Sequence, residues 1–136
     1  MNKLKQPRNI RKISIDASTL EKLKNSSEEE AQTIVHCRYI SKTKYINGGW
    51  VNIYPTTYLV NGEERITLLY ADNIPMAPAC HQFSHPGELK WFTLIFPAIP
   101  KDWKQFNLIE ECGAHTGFTV SNIRRNNQGV YEVFLC

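Results

Sequence analysis

The sequence predicts an all-β domain, built as an antiparallel sandwich of two sheets with about seven strands. Three observations carry this. Short runs rich in β-branched and aromatic residues recur along the chain, as strands require. Turn residues punctuate them at Asn47-Gly48-Gly49, Asn61-Gly62 and Asn126-Asn127-Gln128-Gly129. No long helical periodicity separates the runs, and the crossovers of a parallel sheet are ordinarily helices.

Taken in order, Met1 to Asn9 reads as an arm, and Ile10 to Ile15 as a short strand in which Ile13 and Ile15 alternate with polar neighbours. Ser18-Thr19-Leu20-Glu21 has the form of a capping box, so one or two helical turns are expected through Leu23. Asn25 to Glu30 reads as a polar loop. Period-two patterning then predicts strands at Thr33–Ser41, Trp50–Val60 and Glu64–Tyr70. Pro55 sits inside the second of these, where it marks an edge, a bulge or a break. Asp72 to Glu88 holds Pro75, Pro78 and Pro86 and reads as irregular. Leu89–Phe96 is nearly continuous in apolar residues, as a strand in the middle of a sandwich is, and Pro97 and Pro100 end it. Phe106–Glu110, Phe118–Arg124 and Val130–Leu135 complete the set. The expected form is immunoglobulin-like, with residues 1–30 as an arm and 31–136 as the sandwich.

At 136 residues the chain has room for one domain. Its 42% apolar content is that of a globular chain, which excludes disorder throughout. The net charge of +3 is unevenly placed. Up to Lys24 there are seven bases (Lys3, Lys5, Arg8, Arg11, Lys12, Lys22, Lys24) against two acids (Asp16, Glu21). The remainder carries nine bases against eleven acids. A basic arm suits nucleic acid or an anionic surface. This arm has no aromatic residue to stack on a base, so a solvated tail is the expectation and nucleic acid is not the expected partner. No stretch approaches the roughly 20 apolar residues of a membrane helix. Met1 to Lys12 contains no signal-peptide core, which reads as cytoplasmic unless a leader has been removed. The even cysteine count (Cys37, Cys80, Cys112, Cys136) fits two disulfides or four thiols equally.

Three segments carry a family resemblance: WVNIYPTTYLVNGEERITLLYADNIPMAP from Trp50, LKWFTLIFPAIPKDWKQFNLIEE from Leu89, and GFTVSNI from Gly117. The middle one has a Phe-rich strand over Phe92 to Phe96, an Ile99-Pro100 step, the polar run Lys101 to Gln105, and Phe106 to Glu110 as an aromatic-x-Leu-Ile-Glu strand. Together they resemble a β-sandwich module of unknown role that recurs in proteins of Bacteroidetes, alone or beside thioredoxin-like and other domains. The resemblance covers about half of the chain. It implies a fold and an accessory, non-enzymatic role, and carries no catalytic residues. This sequence departs from it in lacking a signal peptide and in having Cys80, His81, His85, Cys112 and His115.

Those five residues are the first constellation with chemical potential. Cys80-His81-x-x-x-His85 and Cys112-x-x-His115 are two pairs in two loops, the donor types that tetrahedral zinc takes. Cys80, His85, Cys112 and His115 are the candidate zinc ligands or thiol-redox site, although Cys-x4-His is not a standard zinc spacing. A Cys80–Cys112 disulfide is an alternative. Cys112 with His115 or His81 also has the composition of a thiolate–imidazole pair, but only Gly113 offers an oxyanion donor. Cys37 reads as a small buried hydrophobe. Glu63-Glu64, in a hairpin turn, and Glu110-Glu111, at a strand end, are adjacent acids expected to point to opposite sides and stay solvated, unlike the two carboxylates facing one cleft in a glycosidase. Gly48-Gly49 belongs to a hairpin, not to a phosphate loop. Arg124-Arg125 reads as a solvated hairpin tip.

Exposed aromatics are the remaining route to function. Trp50, Trp91, Trp103, Tyr54 and Tyr58 have the composition of a sugar- or peptide-binding platform, though most are expected in the core. Trp103 follows a proline within Lys101-Asp102-Trp103-Lys104 and is the expected surface contact. The sequence therefore reads as a non-enzymatic sandwich whose partner is another protein or a neighbouring domain.

Overall fold

A computed structural model describes residues 32–113 and 115–135, the side chains of His115 and Thr116 excepted. The arm, the strand expected over Ile10–Ile15 and the helical turns expected through Leu23 lie outside the described residues. Within them the protein is all-β, with no helix.

Ten strands follow in chain order: β1 Thr33–Ile40, β2 Trp50–Val51, β3 Thr57–Asn61, β4 Glu64–Thr67, β5 Tyr70–Asp72, β6 His81–Gln82, β7 Leu89–Phe96, β8 Gln105–Cys112, β9 His115–Arg124 and β10 Val130–Leu135. Two four-stranded sheets are ordered β10-β1-β7-β5 and β4-β3-β8-β9, and β2 and β6 form a two-stranded ribbon.

Alternation builds the core. In the first sheet Val35, Cys37 and Tyr39 of β1, Phe92, Leu94 and Phe96 of β7, and Tyr131, Val133 and Leu135 of β10 turn inward and are buried. Leu59 of β3 and Phe106 and Leu108 of β8 meet them from the second sheet, with Phe118, Val120 and Ile123 of β9 half-buried behind. Both sheets thus share one core, which is the arrangement of a sandwich.

Several expectations are corrected. The strand read over Trp50–Val60 breaks around Pro55 into β2 and β3, because proline brings no N–H to a ladder. The strand read over Glu64–Tyr70 divides between sheets: β4 pairs with β3, while β5 pairs with β7. The crossing is made at Leu68 and Leu69, whose amides donate to Thr57 of one sheet and Ile95 of the other, each at 2.9 Å. The segment Asp72–Glu88 contains β6. The sandwich is also not wholly antiparallel, since β1 pairs β10 in parallel from Ile34↔Val130 to Tyr39↔Leu135. No crossover helix is needed, because the intervening β strands are themselves the connection.

Trp103 is not at the surface. It is 2% exposed and packs in the core, and its indole N–H donates to Glu64 Oε1 at 2.8 Å. The Arg125 guanidinium donates to the carbonyls of Pro100 and Trp103. The flanking lysines and Asp102 remain exposed while the ring turns inward at the corner.

Candidate functional site

The four residues proposed for zinc fall on three local structures. Cys80 is an exposed thiol just before β6. His85 is exposed in the following loop, where its Nδ1 lies 2.8 Å from the carbonyl of Pro86. Cys112 ends β8 and is half-buried. The backbone of His115 opposes Cys112 across the β8–β9 ladder, and its side chain is outside the described set. Among the described residues, no three His, Cys, Asp or Glu side chains gather as a metal site. Cys37, Cys80 and Cys112 are free thiols. The Cys112 thiol is pushed up to about 11, first by burial, then by the charge and hydrogen bond of Glu110. The loop has its own carboxylate: Glu88 accepts from the amides of Ser84 and His85, which holds it below the usual carboxylate range.

At the same end of the sandwich a cleft of about 440 Å³ opens between the loop after β1 and the β8–β9 hairpin. Trp50, Tyr45 and Tyr54 line it together with Glu110. Glu110 is 6% exposed. Its Oε2 accepts the Tyr54 amide at 2.9 Å and its Oε1 the Phe118 amide at 3.0 Å. The carboxylate therefore joins the entry of β3 to the bulged part of β9 and serves the architecture first. Glu111, its neighbour, is exposed, so the two acids diverge; Glu110 is not solvated as expected but buried, because the two backbone amides satisfy its carboxylate.

The most developed surface is the outer face of the first sheet. Ladder partners there form transverse rows. Arg38 is flanked by Trp91 of β7 and Phe134 of β10. The guanidinium carbon lies 4.3 Å from the Trp91 ring centroid and 4.7 Å from that of Phe134. Arg38 Nη2 also donates to Glu132 Oε1 at 3.1 Å. A planar cation between two aromatic rings is stabilised by both quadrupoles, so this arginine is held in place while its rings stay open to solvent. Phe134 is 65% exposed and Trp91 45%. The next row, Ile40 opposite Leu89, is exposed as well. These five residues make one apolar patch around a fixed charge.

One row below, His36 opposes Thr93, with Nδ1 2.9 Å from Thr93 Oγ1. Burial holds the imidazole below its ordinary value, and the nearby Glu132 charge opposes this only in part. Its Nε2 is buried without a hydrogen-bond partner among the described residues.

The sequence pointed to Trp91 only as one of several aromatics, and Arg38 and Phe134 were missed. Each sits on the polar phase of its strand's alternation, where an arginine or a phenylalanine alone means little. Only the register of β1, β7 and β10 brings the three side by side.

No family model, no curated protein and no solved structure matches this chain.

Proposed function

We propose that the protein is a non-enzymatic, immunoglobulin-like sandwich module that docks another protein or a neighbouring domain through the outer face of its first sheet. The likeness to the Bacteroidetes accessory module belongs to the same reading. The observation that carries it is the Trp91–Arg38–Phe134 row with Ile40 and Leu89 beside it. Tryptophan and arginine are the residue types most enriched at interface hot spots. An exposed aromatic has a large apolar area to bury, and it loses little side-chain entropy in doing so. An arginine already positioned by its neighbours loses less still on binding.

The test places a photo-crosslinking residue at position 91 or 134, with Thr119 on the exposed side of β9 as the control. The expected result is one defined protein crosslinked from 91 and 134 but not from 119. Arg38→Ala and Phe134→Ala should each weaken binding of that protein, once purified, by tenfold or more. Equal crosslinking from both faces, or unchanged affinity in both variants, overturns the reading.

A further inference from the structure

We propose that the other half of this face, around Ile34 and Ile95, is the seat of the chain's own N-terminal segment, residues 1–31. The inference stands apart from the partner-docking reading, since it concerns a different set of rows.

Ile34 and Ile95 are ladder partners. Each alternates with a core residue, Val35 and Leu94, so each faces away from the core. Neither belongs to the core cluster. On an open face, side chains in the two central strands would be wetted from above. Yet Ile34 is 8% exposed and Ile95 3%. His36 Nε2, in the adjacent row of the same face, is buried as well. By contrast Trp91 and Phe134, two rows further on, and Ile40, three rows on, are open to solvent. Cover is therefore confined to one half of the face. Every described strand either belongs to this sheet or lies with the core on its other side, so the described strands flank this row only at its sides, through Tyr70 and Val130, and none lies over it.

The unassigned chain is in the right place. It joins the sheet at Gln32, directly before β1, and the first outward row of β1 is the row of Ile34. Thirty-one residues are ample to cross a four-stranded sheet. They bring Ile10, Ile13, Ile15, Leu20 and Leu23 as apolar contacts. Over residues 1–31 seven bases stand against five acids; the bases all lie at or before Lys24, and that part complements the acids of the next row, where Glu132 and Asp72 flank His36 and Thr93.

The experiment uses the full chain with isoleucine methyl labelling and reads nuclear Overhauser contacts at Ile34 and Ile95. A sample mixing labelled and unlabelled chains separates contacts within one molecule from contacts between two. The expected result is intramolecular contact from residues 1–31 to both methyl groups. Contacts from residues 32–136 alone, contacts only from a second molecule, or none from residues 1–31 overturn the proposal. No variant is involved, so a folding failure cannot obscure the answer.

Discussion

The indole N–H of Trp103 and the carboxylate of Glu64 meet at 2.8 Å, fastening the corner between β7 and β8 to the first residue of β4. The ring supplies buried area and the bond fixes its orientation. Trp103→Ala should cost about 3–5 kcal/mol, as loss of a large buried aromatic does. Trp103→Phe should cost less, about 1–2 kcal/mol, through the lost donor and part of the volume. Glu64→Gln keeps an acceptor and should stay within about 1 kcal/mol of the parent. Denaturant unfolding measures all three, and equal losses in Trp103→Ala and Trp103→Phe would show that packing contributes little at this corner.

That corner also shows what the sequence could and could not disclose. β7 and β10 were legible to the residue, because dense apolar runs end at Pro97 and begin at Gly129. β1 was legible to within one residue. The division of Glu64–Tyr70 was not, since adjacent leucines at 68 and 69 satisfy a single strand as readily as a crossing. Trp103 was misplaced because its charged neighbours describe the surface of the corner, while the ring itself turns inward. The outer-face row depends on the register of three strands distant in sequence, and no local pattern encodes it.

The three described thiols should react in a fixed order. Cys80 is exposed, Cys112 is half-buried with a raised value, and Cys37 is wholly buried with its thiol pushed far up by burial. Only the thiolate is nucleophilic. Alkylation at pH 8 should therefore label Cys80 first, Cys112 slowly and Cys37 only on unfolding. Peptide mass spectrometry reads the order, and early labelling of Cys37 would contradict its place in the core.

The same thiols give an alkaline dependence of stability. An unfolded cysteine ionises near 9.0, and the folded Cys112 near about 11. The folded state holds the proton more tightly, so this contribution is complete below pH 9 and is lost as pH rises towards 11. Melting temperature should fall across that window, and Cys112→Ala should make the fall shallower.

His36 gives the opposite dependence. Its folded value lies below the ordinary 6.5, so the folded state resists protonation. The contribution is present above pH 6.5 and is lost as pH falls below it. A stability profile between pH 7 and pH 5 should slope downward, and His36→Gln should flatten that slope. An unchanged slope in the variant would assign the acid sensitivity to other groups.

Gly117 has no space for a side chain. A methyl group there would collide with the carbonyl oxygen of Glu110 and lie 2.9 Å from Cys112 Sγ. The obstruction is backbone, so relief requires moving the β8–β9 hairpin. Gly117→Ala should cost about 2 kcal/mol or more, while Thr119→Ala on the exposed side should stay within about 1 kcal/mol. Thermal unfolding of the two variants tests the difference.

The parallel pairing of β1 with β10 has a consequence for the order of synthesis. Among the described strands, β1 is the first to leave the ribosome and β10 the last. Until β10 emerges, one edge of β1 has no neighbour, although β7 can already occupy the other. A nascent or truncated chain ending before Val130 therefore presents Ile34 to Tyr39 as a bare strand with the apolar side chains Val35, Cys37 and Tyr39. Bare strands of this kind pair with other chains. Contacts this distant in sequence also form late, since the whole intervening chain must be brought to order first. The six-residue β10 is thus the clasp of the described sandwich, and small losses in it should show first as aggregation during expression rather than as a lower melting temperature.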